Sequence, residues 1–248
     1  KKKTFKKYQE KLNKLINLNV IDKIKNFENI KLFLRYIDKS KSQKQRVAMD
    51  LFVLQHLNFK KKGYFVEFGG GNGILNSNTH LMETEFDWTG IICEPGNVYY
   101  PEILKNRKCN IEKLCLWSKG DTELTLVEAP QKIDSGMSSI VNFAYDDKFA
   151  SVRKKGKKYQ VKTITLLEML LKYNAPEIID YMSVDTEGSE YEILKQFDFS
   201  KYKFNFITCE HMFVEKKRDD IYNLMINNGY KRVFEDISDQ DDWYVPSK

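Results

Sequence analysis

Four glycines fall within five residues, at Gly69, Gly70, Gly71 and Gly73, directly after the apolar run Tyr64-Phe65-Val66-Glu67-Phe68. Such a run of β-formers bounded by glycine reads as a short buried strand entering a loop. Glycines there let the backbone turn sharply and come close to a ligand. A helix is expected over residues 76–85, with its free N–H groups and positive dipole end facing the same spot. Glu94-Pro95 follows Gly73 by 21 residues and ends a second strand-like run. In a doubly wound sheet that is the place of the carboxylate that accepts hydrogen bonds from a ribose diol. A second set of acids lies far downstream: Asp185 and Glu187 follow the apolar residues 178–184, and Glu210-His211 follow 204–209. Both pairs sit at the carboxyl ends of expected strands, where open α/β sheets bind ligands.

The type of ligand follows from what the loop lacks. A dinucleotide loop wants G-x-G-x-x-G, because a pyrophosphate rests on the helix N-terminus. Here Ile74 stands where the third glycine would fall, and Glu67 precedes the loop. An acid at that point repels phosphates and suits the ammonium of an amino-acid tail, which selects S-adenosylmethionine. Transfer of its methyl group is an in-line displacement that needs an aligned nucleophile and a base to take its proton. Asp185, Glu187, Glu210 and His211 are the candidates. His211 is the best single base because imidazole titrates near neutrality; the competing reading is a strand-end histidine held by backbone hydrogen bonds. Asp185 with Glu210 could hold Mg²⁺ or another oxygen-preferring divalent ion.

The elements that must position these residues follow the same periodicities. Residues 4–18 and 20–37 carry apolar side chains at helical spacing, and a third helix is expected over 45–57. Further helices are expected near 97–106, 165–173 and 217–227. Residues 111–117 and 122–128 read as a hairpin across Ser118-Lys119-Gly120-Asp121, and 229–234 with 243–245 as a closing strand pair. Thr165 with Glu168, and Ser189 with Glu192, fit capping boxes. Residues 129–158 are polar and aperiodic, the pattern of a binding loop; Ser138 and Ser139 are expected at an acceptor pocket and the basic cluster Arg153 to Lys158 on a solvated surface. Alternating strands and helices indicate a doubly wound α/β sheet with a terminal hairpin.

Composition bounds the rest. A 248-residue chain with 42% apolar residues holds one large α/β domain or a domain with an extension. No apolar run is long enough to span a bilayer. Cys93, Cys109, Cys115 and Cys209 lack CxxC spacing, which points to structural thiols and a reducing, cytoplasmic setting. Residues 1–62 carry 18 Lys/Arg against 5 Asp/Glu, whereas the remainder carries 23 against 30. The basic arm fits either a solvated helix face or a contact with nucleic acid, anionic lipid or an anionic glycan precursor. A chain that opens at Lys1, with neither an initiator Met nor a signal-peptide pattern, reads as a piece of a longer polypeptide.

Several of these stretches carry a resemblance. Glu67-x-Gly69-x-Gly71-x-Gly73, Glu94-Pro95, and above all Asp180-Tyr181-Met182-Ser183-Val184-Asp185-Thr186-Glu187-Gly188-Ser189-Glu190 resemble the FkbM-type S-adenosylmethionine-dependent methyltransferases. The likeness reaches upstream to Ser42-Gln43 and Asp50-Leu51-Phe52-Val53, and downstream to Glu210-His211 and Asp242-Trp243-Tyr244-Val245. Gly70 and the Lys-rich amino-terminal extension depart from the commoner pattern. The resemblance implies a Rossmann-like methyltransferase fold, a seven-stranded, mostly parallel sheet with its last strand antiparallel, here preceded by N-terminal helices. It also implies O-methylation of a sugar, as in a surface polysaccharide or glycan precursor, or of a small molecule. The expected division is a basic helical extension over 1–41 and a methyltransferase domain over 42–248. Glu67, Gly69, Gly71, Gly73, Glu94, Pro95, Asp185 and Glu187 are the expected cofactor contacts. An RNA methyltransferase using the basic arm, and a non-catalytic nucleotide-binding module, are the alternatives.

Overall fold

In a computed structural model the described residues are 27–42, 48–130, 135–145 and 148–248. The helix expected over 4–18, and the amino-terminal end of the next one, lie outside them.

Seven strands form the main sheet: β1 (Tyr64–Phe68), β2 (Thr89–Cys93), β3 (Asn110–Glu112), β4 (Tyr181–Val184), β5 (Ile207–Glu210), β6 (Tyr230–Val233) and β7 (Asp241–Pro246). Their order is β6-β7-β5-β4-β1-β2-β3. Only β7 runs against the others, pairing antiparallel with both β5 and β6. This is the doubly wound sheet with one antiparallel strand. The chain order reverses direction between β1 and β4, and a crevice opens there at the carboxyl ends of the strands.

Alternation along the strands explains why both faces are covered. In β1, Phe65 packs in one apolar cluster while Val66 and Phe68 pack in another. In β4, Tyr181 joins the first and Met182 and Val184 the second. Side chains at successive strand positions face opposite sides, so two cores form. The first is closed by α1 (Phe27–Tyr36), α2 (Met49–His56) and α3 (His80–Phe86), with Phe33, Phe52 and Trp243 packed at its centre. Each fully buried side chain of this size contributes roughly 1.5–3 kcal/mol. Phe33, Tyr36 and Ile37 thus bind residues 27–37 to the same core as the sheet, although the sequence places them in the extension. The second core lies under α6 (Leu166–Lys172), α7 (Glu190–Leu194) and α8 (Glu215–Asn227). No helix among the described residues is long and apolar enough to cross a membrane.

Three local expectations change and one holds. The helix expected at 76–85 starts at His80, because residues 74–79 form a loop of bends and turns with Asn76 at φ +60°. Residues 123–128 do not form a hairpin with 111–117; they pair antiparallel with Lys157–Ile164 and with Ser139–Ile140 in a second, four-stranded sheet, where Cys115–Leu116 also joins Thr163 and Ile164. Thr165 and Glu168 do form the reciprocal capping box of α6. Ser189 and Glu192 do not: the Glu190 carboxylate takes the N–H groups of Thr186 and Gly188, and the Ser189 hydroxyl donates to Thr186.

Candidate active site

The glycine loop leaves β1 and doubles back over the end of β2. The Gly69 N–H donates to the Cys93 carbonyl at 3.0 Å. Its φ is +71°, and a Cβ there would lie 2.0 Å from the Asp185 carbonyl oxygen. Only glycine lets β1 and the turn after β4 approach so closely. Glu94, at the end of β2, is buried, and its two oxygens accept the Gly71 and Gly96 N–H groups, each at 2.8 Å. Burial pushes its carboxyl up to about 7, against the lowering pull of those two N–H groups and of Lys113. A carboxylate has about four acceptor positions, so both oxygens retain capacity for a diol.

Glu67 is placed differently from the sequence expectation. Its carboxylate accepts the Ser77 and Thr79 hydroxyls and the Asn78 N–H at 2.7 Å, with Arg107 at 3.6 Å. It therefore holds the loop from within the fold, and these partners, rather than a ligand's ammonium, are what it meets. Because residues 77–79 are drawn to Glu67, the N-terminus of α3 does not follow directly on the glycines. Arg107, which belongs to no sequence motif, has its side chain fully buried beside it. It donates to the Gly73 carbonyl, Ser77 and Thr79 and pairs with Glu83. Gly73 is at φ +80°, and a Cβ there would fall 2.6 Å from the Arg107 Cγ.

Two adjoining clefts meet at Gly69, Asp185 and Glu187. The first lies between the carboxyl ends of β1, β2 and β4 and the small sheet; Phe68, Cys93, Leu116, Leu126 and Ile140 make it largely apolar, and Glu94 and Pro95 line it too. Ser138 and Ser139 border this cleft and not the second. The second is bordered by Gly71, Leu75, Tyr99, Phe149 and Phe213, with Asp185, Glu187, Glu210 and Asp239 among its acids and Lys148 as its lysine. Asp185, Glu187 and Glu210 each place one oxygen within 4.8 Å of the others. Burial, with Asp185 and Glu187 alongside, holds the Glu210 carboxyl well above the usual carboxylate range.

His211 is not where a base should be. It is 1% exposed and lines neither cleft. Its Nδ1 accepts the Phe213 N–H at 3.0 Å and its Nε2 lies 3.7 Å from Asp242, which Arg218 and Arg232 also hold. Burial lowers its pKa to about 4. The base role expected for His211 is corrected to a packing role beside Asp242. Arg153 is likewise corrected from solvated surface to a fully buried group, its guanidinium 2.7 Å from Glu187.

Residues 67–232 match the family description "Methyltransferase FkbM domain". The chain belongs to this family of S-adenosylmethionine-dependent methyltransferases. A search of curated proteins found no match. Among solved structures, the chain is similar to a precorrin-6y C5,15-methyltransferase from Geobacter metallireducens GS-15 at 10% identity, over 84% of this chain and 93% of that one, with a TM-score of 0.42. It is also similar to the METTL16 MTase domain at 12% identity, over 79% and 78%, with a TM-score of 0.40. At these scores neither carries an argument about the chemistry of this FkbM domain. The residues of the first cleft fit the cofactor of the family on one observation made above: the buried Glu94 carboxyl, with acceptor capacity left, lines an apolar slot.

Proposed function

We propose that this FkbM-family chain transfers the methyl group of S-adenosylmethionine to a hydroxyl of a sugar, in a surface polysaccharide or glycan precursor, or to a hydroxyl of a small molecule. The observation that carries this reading is the second cleft. Its carboxylates, Asp185, Glu187 and Asp239, accept hydrogen bonds from hydroxyl donors, and Tyr99, Phe149 and Phe213 offer flat apolar faces to a ring. The same acids repel the phosphates of an RNA backbone, which favours the hydroxylated small acceptor over the nucleic-acid alternative.

In this reading Glu94 takes the ribose diol, Gly69 and Gly71 let the cofactor lie against the backbone, and the methyl group lies where the clefts join. Asp185, half-buried at that junction, takes the acceptor proton as the base in place of His211. Glu210 lines the same cleft beside Asp185 and orients the acceptor by hydrogen bonding to its hydroxyl. The three-carboxylate set Asp185, Glu187 and Glu210 also has the hard oxygen donors a divalent ion such as Mg²⁺ prefers; when bound, such an ion would lower the pKa of the acceptor hydroxyl.

The test is label transfer from methyl-labelled S-adenosylmethionine into a mixture of cell-surface polysaccharide, its precursors and total RNA. The expected product is carbohydrate or small-molecule label that survives mild alkali, as a methyl ether does. Label that is released by ribonuclease instead would replace this reading with the RNA one.

A further inference from the structure

Arg153 ends the short helix α5 (Ala150–Arg153) and is fully buried, whereas Lys154 and Lys155 beyond it are exposed. A buried guanidinium is expensive unless its donors are used. Its three nitrogens reach three places: Nε donates to the Met137 carbonyl at 2.5 Å, Nη1 to the Ala144 carbonyl at 3.4 Å, and Nη2 to the Glu187 carboxylate at 2.7 Å. A lysine has no such fork and could not reach all three.

The turn that receives Nη2 is itself unusual. Gly188 takes φ +126° freely as a glycine, but Glu187 has φ +58°, a backbone conformation that persists in a side-chain-bearing residue only when its surroundings impose it. The Glu187 carbonyl accepts the Ser139 hydroxyl at 2.7 Å, and Gly188 sits where a Cβ would lie 2.7 Å from the Phe143 Cβ. Two of the three groups that Arg153 holds are cleft walls: Met137 borders the acceptor cleft and Glu187 both, and the Glu187 carbonyl in turn holds Ser139, which borders the cofactor cleft. Arg153 itself borders neither.

We propose that Arg153 is a positioning residue for methyl transfer: it sets the Glu187 carboxylate at the junction of the clefts and fixes residues 137–144 as the roof over the cofactor. This rests on reading the first cleft as the S-adenosylmethionine site. Cofactor affinity then depends on a side chain that does not touch the cofactor.

The experiment is calorimetric binding of S-adenosylhomocysteine to the full chain and to its Arg153→Met and Arg153→Lys variants, with hydrogen exchange read over residues 135–145. Arg153→Met is expected to weaken binding about tenfold to a hundredfold, the scale of a misplaced binding wall, and to speed exchange in that segment. Arg153→Lys keeps the charge beside Glu187 and is expected to fall between. In the Arg153→Met background, Glu187→Gln should then cost less affinity than it does in the wild type, because the pair acts as a unit. Wild-type affinity and exchange in the lysine variant, or in the methionine variant where it folds, overturn the proposal. A wild-type chain that fails to bind S-adenosylhomocysteine overturns instead the assignment of the cleft, and this proposal with it.

Discussion

At the scale of single residues, Glu94 makes the sharpest statement. Its carboxyl is pushed up to about 7 by burial, and only the ionised form accepts hydrogen bonds from both hydroxyls of a diol. Cofactor affinity should therefore be constant above pH 8 and fall about tenfold per pH unit well below 7, as the competent fraction shrinks. The folded-state pKa is raised, so the sign for stability is opposite. Glu94 stabilises the free protein fully below its unfolded value of 4.5 and loses that contribution as pH rises through 7. Titration of S-adenosylmethionine binding between pH 5.5 and 8.5 checks the first, and pH-dependent melting of the free chain checks the second. Residues of this kind are legible in a sequence because their chemistry is carried by type and spacing: Gly69, Gly71, Glu94, Asp185 and Glu187 line the clefts, whereas Gly70 and Gly73 pack against Ile92, Ile103 and Arg107 and hold the loop's shape instead. His211 misleads for the same reason. Imidazole suits a base, but which way a strand-end ring turns is decided by Asp242 and Phe213, 31 and two residues away along the chain.

Elements depend on pairings that a linear reading sees only when they are local. The capping box of α6 joins residues three apart and is found as expected. Residues 123–128 find their partner beyond a loop of nearly thirty residues, so the nearer strand looked like the match when it was not. Arg107 shows the same limit: it follows α4 (Tyr100–Asn106) and would be taken for a surface cation, yet it joins β1, the glycine loop and α3 through Glu67, Gly73 and Glu83. Replacing it by Met leaves two buried carboxylates without their cation, and we expect a loss of about 3–5 kcal/mol in unfolding free energy. Urea denaturation of Arg107→Met measures this; a loss under about 1 kcal/mol would mean that the network does not hold the loop.

At the scale of the whole molecule, the sheet order and its one antiparallel strand place Glu94, Asp185 and Glu210 at the same edge although 116 residues separate the first from the last. Alternating strands and helices in the sequence argue for a doubly wound sheet, and the family resemblance implies seven strands with the last antiparallel, but the order of the strands is a property of long crossovers and is seen only in the folded chain. In the proposed function the crevice at this edge holds S-adenosylmethionine through Glu94. Calorimetry of S-adenosylmethionine with the wild-type chain and Glu94→Ala at pH 8 tests this. One site per chain is expected in the wild type and at least a tenfold weaker one in Glu94→Ala, with a double hydrogen bond to a carboxylate lost. No heat of binding in the wild type, or equal affinity in the two proteins, would contradict it.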